Sequence, residues 1–394
     1  MIADEARARL DPNGGIKVRT RNSSWRLFVL TAVLALFSAS CDGGAADTTA
    51  AETTTTEAGA TTTQAEDGAT TTAAAMDFGD PVTLTLGHPF PEQHPIHQNV
   101  WLPYAEEVNT ATEGAVTIEI HAGGALAALP NTFDNTVVGG QDMGWALHGY
   151  HPGVFPVTEI IELPFQFSSA VQATQTMWDI HDEFEAFQGD YESVKLLGLW
   201  THEVGDLFFN EESVTTLEQL NGLNLRTPNA TMTSFFEQVG ASPINMGAPE
   251  IFDALSTGVI DGLATATSAL QSFNLYDEVA YITRCDCYLA TQYLVINLDT
   301  WNSLTSDTQA VMESLAREYS VTAGEVYDGL YTAVTEIALE QGVEELELSE
   351  DELARWHEVG EQVASDWIAE REAQGVPAQE MFDRMQDIKA QYEG

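Results

Sequence analysis

Two runs of alternating apolar residues enclose one run at helical spacing, and this fixes the kind of fold residues 82–120 can adopt. Val82, Leu84 and Leu86 alternate with Thr83 and Thr85, and Val116, Ile118 and Ile120 alternate with Thr117 and Glu119. That is the period of a strand. Between them Ile96, Val100, Tyr104 and Val108 recur every four residues and present one apolar stripe, as a helix does when it packs on a sheet. Strand, helix, strand in this order predicts α/β architecture with a parallel sheet.

The same alternation continues downstream. A helix is expected from near Pro130 to Gly139-Gly140, returning the chain to a strand at Met143 to Leu147. After Gly198, Leu225 closes a short strand and Arg226-Thr227-Pro228-Asn229 turns into a helix, with Thr227 as the cap and Pro228 in the first helical position. Gly240 stops that helix, Pro249 opens another, and Gly258 ends it before Val259-Ile260, which makes a second α/β lobe. From Ser306 the chain reads as helix to its end, with capping boxes at Ser306 to Gln309 and Ser349 to Glu352.

Composition narrows the function classes. Of 394 residues 44% are hydrophobic, enough for a large core and too many for wholesale disorder. Acids outnumber Lys and Arg 61 to 14, a formal charge of −47, and this excludes nucleic acid as a partner because phosphate binding needs clustered cations. Six of the 14 cations precede the first apolar run, so eight face 58 acids after residue 40. Such a surface repels anionic membranes, and salt screens its self-repulsion, which suits a halophilic or marine setting.

The amino terminus reads as an export signal. Leu27 to Ser40 is an apolar run behind a basic stretch, shorter than the roughly 20 residues a spanning helix needs. Ser38-Ala39-Ser40 before Cys41 resembles a bacterial lipoprotein box, with Ser38 where that box usually has Leu; a plain signal peptide with an incidental Cys is the other reading. From Asp42 to Ala75 the chain is almost entirely Ala, Thr, Gly, Glu and Asp, with no aromatic or branched aliphatic residue, and cannot bury a core. The expected organisation is therefore a signal over 1–41, a disordered tether over 42–76 and a folded unit over 77–394.

No nucleophile elbow, phosphate-binding Gly loop, dinucleotide fingerprint or paired-His zinc helix is present. His88, His94 and His97 fall together after the first strand at a spacing that matches no standard metal site, so a solvated or hydrogen-bonded loop is the reading. Cys285 and Cys287 are spaced as a tight disulfide or as two thiols, and both readings stand.

Arg226 is the sharpest signal, because between Asp77 and Thr300 the only cations are Lys195, Arg226 and Arg284. It sits where a strand gives way to a helix, at the carboxyl end where open α/β sheets bind ligands. Its guanidinium fork and the free amides of the helix start suit one carboxylate. An Arg paired with one of the many acids is the alternative.

Three blocks carry a resemblance: Leu220-Asn221-Gly222-Leu223-Asn224-Leu225-Arg226-Thr227-Pro228, then Gly240-Ala241-Ser242-Pro243, then Glu250 through Asp261-Gly262. With Leu86-Gly87-His88, His94-Pro95 and Gly149-Tyr150-His151-Pro152-Gly153, they resemble the solute-binding proteins of tripartite ATP-independent periplasmic (TRAP) transporters, of the DctP type, over essentially all of 77–394. The resemblance implies a two-lobed periplasmic-binding-protein-like α/β fold with a central cleft and long C-terminal helices. The lobes would be about 77–204 with 292–330, and 205–291 with 331–394.

It further implies capture of a small organic acid outside the cytoplasm and its delivery to membrane permease subunits, with no catalysis and no cofactor; a metal ion bridging the ligand is left open. The family's clamping Arg maps onto Arg226, its following Asn onto Asn229, and Thr265 stands where the family often has another Asn. Asp206 or a neighbour replaces a second basic residue found in some members. His88, His148 and Tyr150, near strand ends in the first lobe, are the further candidate ligand contacts, while Trp145 and Trp200 are expected to fill the core. A secreted hydrolase working through paired carboxylates is the rival reading, and a sensor subunit would share the fold and differ only in its partner.

Overall fold

The two alternating runs do pair: β1 (Val82–Gly87) lies parallel to β2 (Val116–His121), with Val82 opposite Val116 and Leu86 opposite Ile120. The structure, a computed structural model, describes residues 76–392. The signal-like segment, Cys41 and most of the Thr-rich tract lie outside the described residues. Between β1 and β2, a π-helical turn over His97–Trp101 leads into α1 (Leu102–Ala111). The apolar stripe is buried along its length, since Ile96, Val100, Tyr104 and Val108 are all inaccessible. A 3₁₀ turn at Leu129–Asn131 precedes α2 (Thr132–Val137), and β3 (Met143–Leu147) follows, completely buried.

Two sheets result. After α3 (Ala170–Glu183) come β4 (Val194–Thr201) and β5 (Gly205–Phe209). Then follow β6 (Asn224–Thr227), α4 (Ala230–Gln238), β7 (Ser242–Asn245), α5 (Ile251–Ser256), β8 (Gly262–Thr265), β9 (Tyr281–Tyr288) and β10 (Thr291–Asn297). The first sheet has the order β2-β1-β3-β10-β4; the second, completed by β11 (Glu344–Glu347), has the order β11-β9-β5-β8-β6-β7.

Neither sheet is parallel throughout, which corrects the sequence expectation. β10 runs antiparallel to both β3 and β4, and β5 antiparallel to β8 and β9. The cause is connectivity. Parallel neighbours need a long crossover connection, whereas β4 passes to β5 through His202–Val204 alone and β9 to β10 through Leu289–Ala290 alone, each strand leaving one sheet and entering the other directly.

Three terminal details also differ. The cap of α4 is Asn229, whose side chain accepts from the Met232 amide, so Thr227 and Pro228 lie before the helix. The helix α6 (Ser306–Glu340) is capped by Thr305 and not by Ser306. After α6 the chain forms β11, parallel to β9, before α7 (Glu350–Ala373) and α8 (Ala378–Lys389), so the carboxyl-terminal part is not uninterrupted helix. Ser349 caps α7 as its sequence requires, accepting from the Glu352 amide.

The 35-residue α6, about 50 Å long at 1.5 Å per residue, touches β4 of the first sheet and the short helix Ser268–Ser272 that follows β8 of the second. Asp328 on α6 accepts from the amides of Ala170 and Val171 at the start of α3. Trp101, Trp145 and Trp200 form the centre of the first sheet's core, Trp101 lying 4.9 Å from Trp200 ring to ring. Burying rings of this size contributes about 1.5–3 kcal/mol apiece. Cys285 and Cys287 are joined as a disulfide, which decides the alternative left open by spacing. Asp206 beside them is buried and accepts from the Cys285 amide at 2.8 Å and from Arg284 at 2.6 Å.

Candidate functional site

Arg226 lies near the carboxyl end of β6, 1% exposed, and its side chain is held by backbone. Nε donates to the Met246 carbonyl at 3.1 Å and one terminal nitrogen to the Ala264 carbonyl at 2.9 Å. Two neutral acceptors fix the plane of the guanidinium and leave its charge uncompensated. Among the described residues no carboxylate stands within ion-pair distance of Arg226, whereas Arg284 pairs with Asp206 and Glu345. The structure thus rules against the simple Arg–acid pair, and a buried charge without a counter-ion is costly enough to call for an anion.

Around this guanidinium lies a cavity of about 40 Å³. Its lining brings together three residues predicted from sequence, Arg226, Tyr150 and Thr265. Tyr150 stands in the 3₁₀ turn His148–Tyr150 after β3, and Thr265 closes β8. The Tyr150 hydroxyl accepts from the Ala248 amide at 3.1 Å, leaving its own proton to donate. Burial pushes the pKa of Tyr150 up, and the nearby Arg226 charge opposes the shift. Gly149 permits the close approach of this turn to β6, because a Cβ there would fall 2.3 Å from the Pro228 carbonyl oxygen.

The other three predicted residues are placed elsewhere. His88 hydrogen-bonds His97 ring to ring at 2.8 Å and packs on Trp145, with its pKa lowered to about 2 by burial and then by His97 and His94. His148 hydrogen-bonds the Tyr191 hydroxyl at 2.7 Å, and burial lowers its pKa to about 3. Asn229 is consumed by structure: its side-chain oxygen accepts from Met232 and Thr231, and its amide donates to the Leu289 carbonyl in the second crossover.

Sequence reasoning missed most of the walls. Phe90, Phe273, Tyr288 and Tyr327 make the lining aromatic, with His94 and His202 between them. Tyr327 comes from α6, a hundred residues past Arg226, and only its buried helical seam marked it, as it marks any core residue. His202 lies in the first crossover; its Nδ1 donates to the Glu203 carbonyl at 2.5 Å, and its Nε2 accepts from the Ala290 amide of the second crossover at 3.0 Å. One imidazole therefore ties together the two segments that join the sheets.

A larger cavity of about 340 Å³ lies beside the first turn of α4, lined by His148, His151, Phe155 and three carboxylates, Glu159, Glu162 and Glu237. It has no Lys or Arg in its lining. Burial raises Glu162 to about 7, so this space suits an organic anion far less than the one holding Arg226. The helix start expected to share the anion with Arg226 faces this second cavity, through Ala230. Among the described residues no group of three or more His, Cys, Asp or Glu is placed to hold a metal ion, and no helix is long and apolar enough to cross a membrane.

Two mixed sheets joined by direct crossovers, with a cationic, aromatic cavity between elements of both, define a two-lobed α/β ligand receptor. Residues 86–371 match the family model DctP, bacterial extracellular solute-binding protein family 7, and the chain belongs to that family. It is a TRAP-type solute-binding protein, a receptor that captures solute for a membrane permease.

Several relatives bear on the site. A TRAP solute-binding protein from a marine metagenome, described as specific for aromatic acids and solved with 3-hydroxybenzoate, is 26% identical, with TM-score 0.76 over 80% of this chain and 100% of its own. One from Bordetella bronchiseptica with bound mandelate is 26% identical, with TM-score 0.75 over 79% and 100%. A solute-binding protein of Roseobacter denitrificans is 25% identical over 64% of this chain and 78% of its own length.

Proposed function

We propose that the protein binds an aromatic monocarboxylic acid with its carboxylate on Arg226, and presents it to a TRAP permease from outside the cytoplasm. The observation that carries this reading is the buried guanidinium, without an acidic partner among the described residues, in an aromatic-walled cavity. Charge-assisted bonds to a desolvated Arg supply the strong contact, the Tyr150 hydroxyl adds a donor, and ring faces cover the remainder. Relatives that bind 3-hydroxybenzoate and mandelate point the same way.

Binding is favoured over turnover by how the polar side chains are spent. His202 uses both ring nitrogens on backbone groups, and Glu203 gives both carboxylate oxygens to Ser268. The cavity of about 40 Å³ holds a few waters, well below the roughly 150 Å³ that admits benzene. Loading therefore requires the lobes, 77–204 with 292–330 against 205–291 with 331–394, to part about the crossovers at His202–Val204 and Leu289–Ala290.

Export by the amino-terminal signal, lipidation of Cys41 and a Thr-rich tether complete the reading; the mass of the mature amino terminus tests the lipid. The ligand is tested by thermal shift against aromatic, aliphatic mono-, di- and keto acids, since a ligand that binds only the folded state raises its melting temperature. Aromatic monocarboxylates are expected to give the largest rise. A rise from sugars or amines alone, with none from carboxylates, contradicts the assignment.

A further inference from the structure

Opposite Arg226 in the chain's connectivity, the cavity has a second polar feature contributed by the first sheet's side. Trp145 Nε1 donates to the Gln292 side-chain oxygen at 3.0 Å. An indole N–H only donates, so this bond fixes the orientation of the Gln292 amide. Its Nε2 then donates to the Tyr327 hydroxyl at 3.0 Å, making that oxygen an acceptor. The proton of Tyr327 is left over, and among the described residues no hydrogen bond takes it.

His94 arrives at the same state by another route. Its Nδ1 accepts from the Ile96 amide at 3.3 Å, and burial, then the neighbouring His97, lowers its pKa to about 3. The ring is neutral and carries its proton on Nε2, for which no acceptor stands among the described residues. The two rings are neighbours, 6.4 Å apart, and both line the cavity together with Phe90 and Phe273. Donors that face a cavity without a protein acceptor are left for water or ligand to meet.

We propose that Tyr327 and His94 form a neutral donor pair that selects aromatic acids carrying an oxygen acceptor on the ring, a hydroxyl or carbonyl group. The inference rests on the carboxylate reading above and adds the substituent. Two neutral donors suit a neutral oxygen better than a second carboxylate. A ligand without such an oxygen leaves both donors buried and unpaired, and this penalty is the source of discrimination.

The test is calorimetric titration of the wild-type protein, Tyr327→Phe and His94→Phe with benzoate, the three hydroxybenzoates and the three methylbenzoates. In the wild type at least one hydroxybenzoate is expected to bind about tenfold more tightly than the methylbenzoate of the same position, the increment of one good hydrogen bond. Each variant is expected to reduce that ratio to below about threefold. Taking the ratio of two ligands on one variant removes any general loosening caused when Gln292 loses its acceptor. A wild-type ratio near one for every position, or a ratio that survives both substitutions, overturns the donor pair and leaves the carboxylate reading standing. Failure of benzoate and of every substituted acid to bind the wild type overturns both.

Discussion

Replacing Arg226 by alanine is expected to weaken an aromatic carboxylate by about two to four orders of magnitude, about 3–5 kcal/mol, the cost of removing one partner from a buried charge pair. No second Lys or Arg lines the cavity to take over the role. Substitution by lysine is expected to fall between, because an ammonium keeps the charge but lacks the planar fork that meets the Met246 and Ala264 carbonyls while offering a nitrogen to ligand. Calorimetric titration of the three proteins measures the effect, and a cooperative melt of each variant without ligand separates lost binding from lost fold. An alanine variant with unchanged affinity removes Arg226 from the site.

Acidification is expected to destabilise the ligand-free protein, and the sign follows from buried groups of two kinds. Burial lowers His88 to about 2, His94 and His148 to about 3, and His151 and His202 to about 4. The unfolded chain takes up these five protons as pH falls through about 6.5, and the folded chain refuses them, so stability is lost toward acid. Burial also raises Glu162 and Glu203 to about 7 and Asp190 to about 6. These three carboxyls keep protons in the folded chain that the unfolded chain releases above about pH 4.5, so their contribution is lost as pH rises toward 7.

Between about pH 4.5 and 6.5 these five imidazoles outweigh these three carboxyls, so stability should climb with pH across that window. The melts belong in about 1 M salt, where screening reduces the self-repulsion of a chain with formal charge −47 to a few ångströms' reach. A melting temperature that rises on going from pH 7 to pH 5 contradicts the assignment of these histidines as buried and neutral.

How legible the molecule was depended on whether the signal was local. β1, α1 and β2 were readable because Val82, Tyr104 and Val116 sit in patterns whose period is itself the structure. The mixed sheets were not, since nothing in the residues around His202 or Ala290 tells a direct crossover between sheets from an ordinary turn. Arg226 stood out because cations are scarce in this chain, and the structure adds what scarcity alone could not say, that no acid among the described residues neutralises it. His148 and Asn229 show the limit of position-based inference. Both lie near strand ends, yet Tyr191 takes one and the cap of α4 takes the other. Tyr288, Gln292 and Tyr327 reach the cavity through β9, β10 and α6, assembled by tertiary packing that no spacing in the sequence announces.

The most direct measurement is a crystal structure of the protein grown with whichever acid raises its melting temperature most. The account predicts the carboxylate within hydrogen-bonding distance of the Arg226 guanidinium and the Tyr150 hydroxyl, with the ring between Phe90 and Tyr288. An acid seated instead among His151, Glu162 and Glu237, with no contact to Arg226, would contradict it.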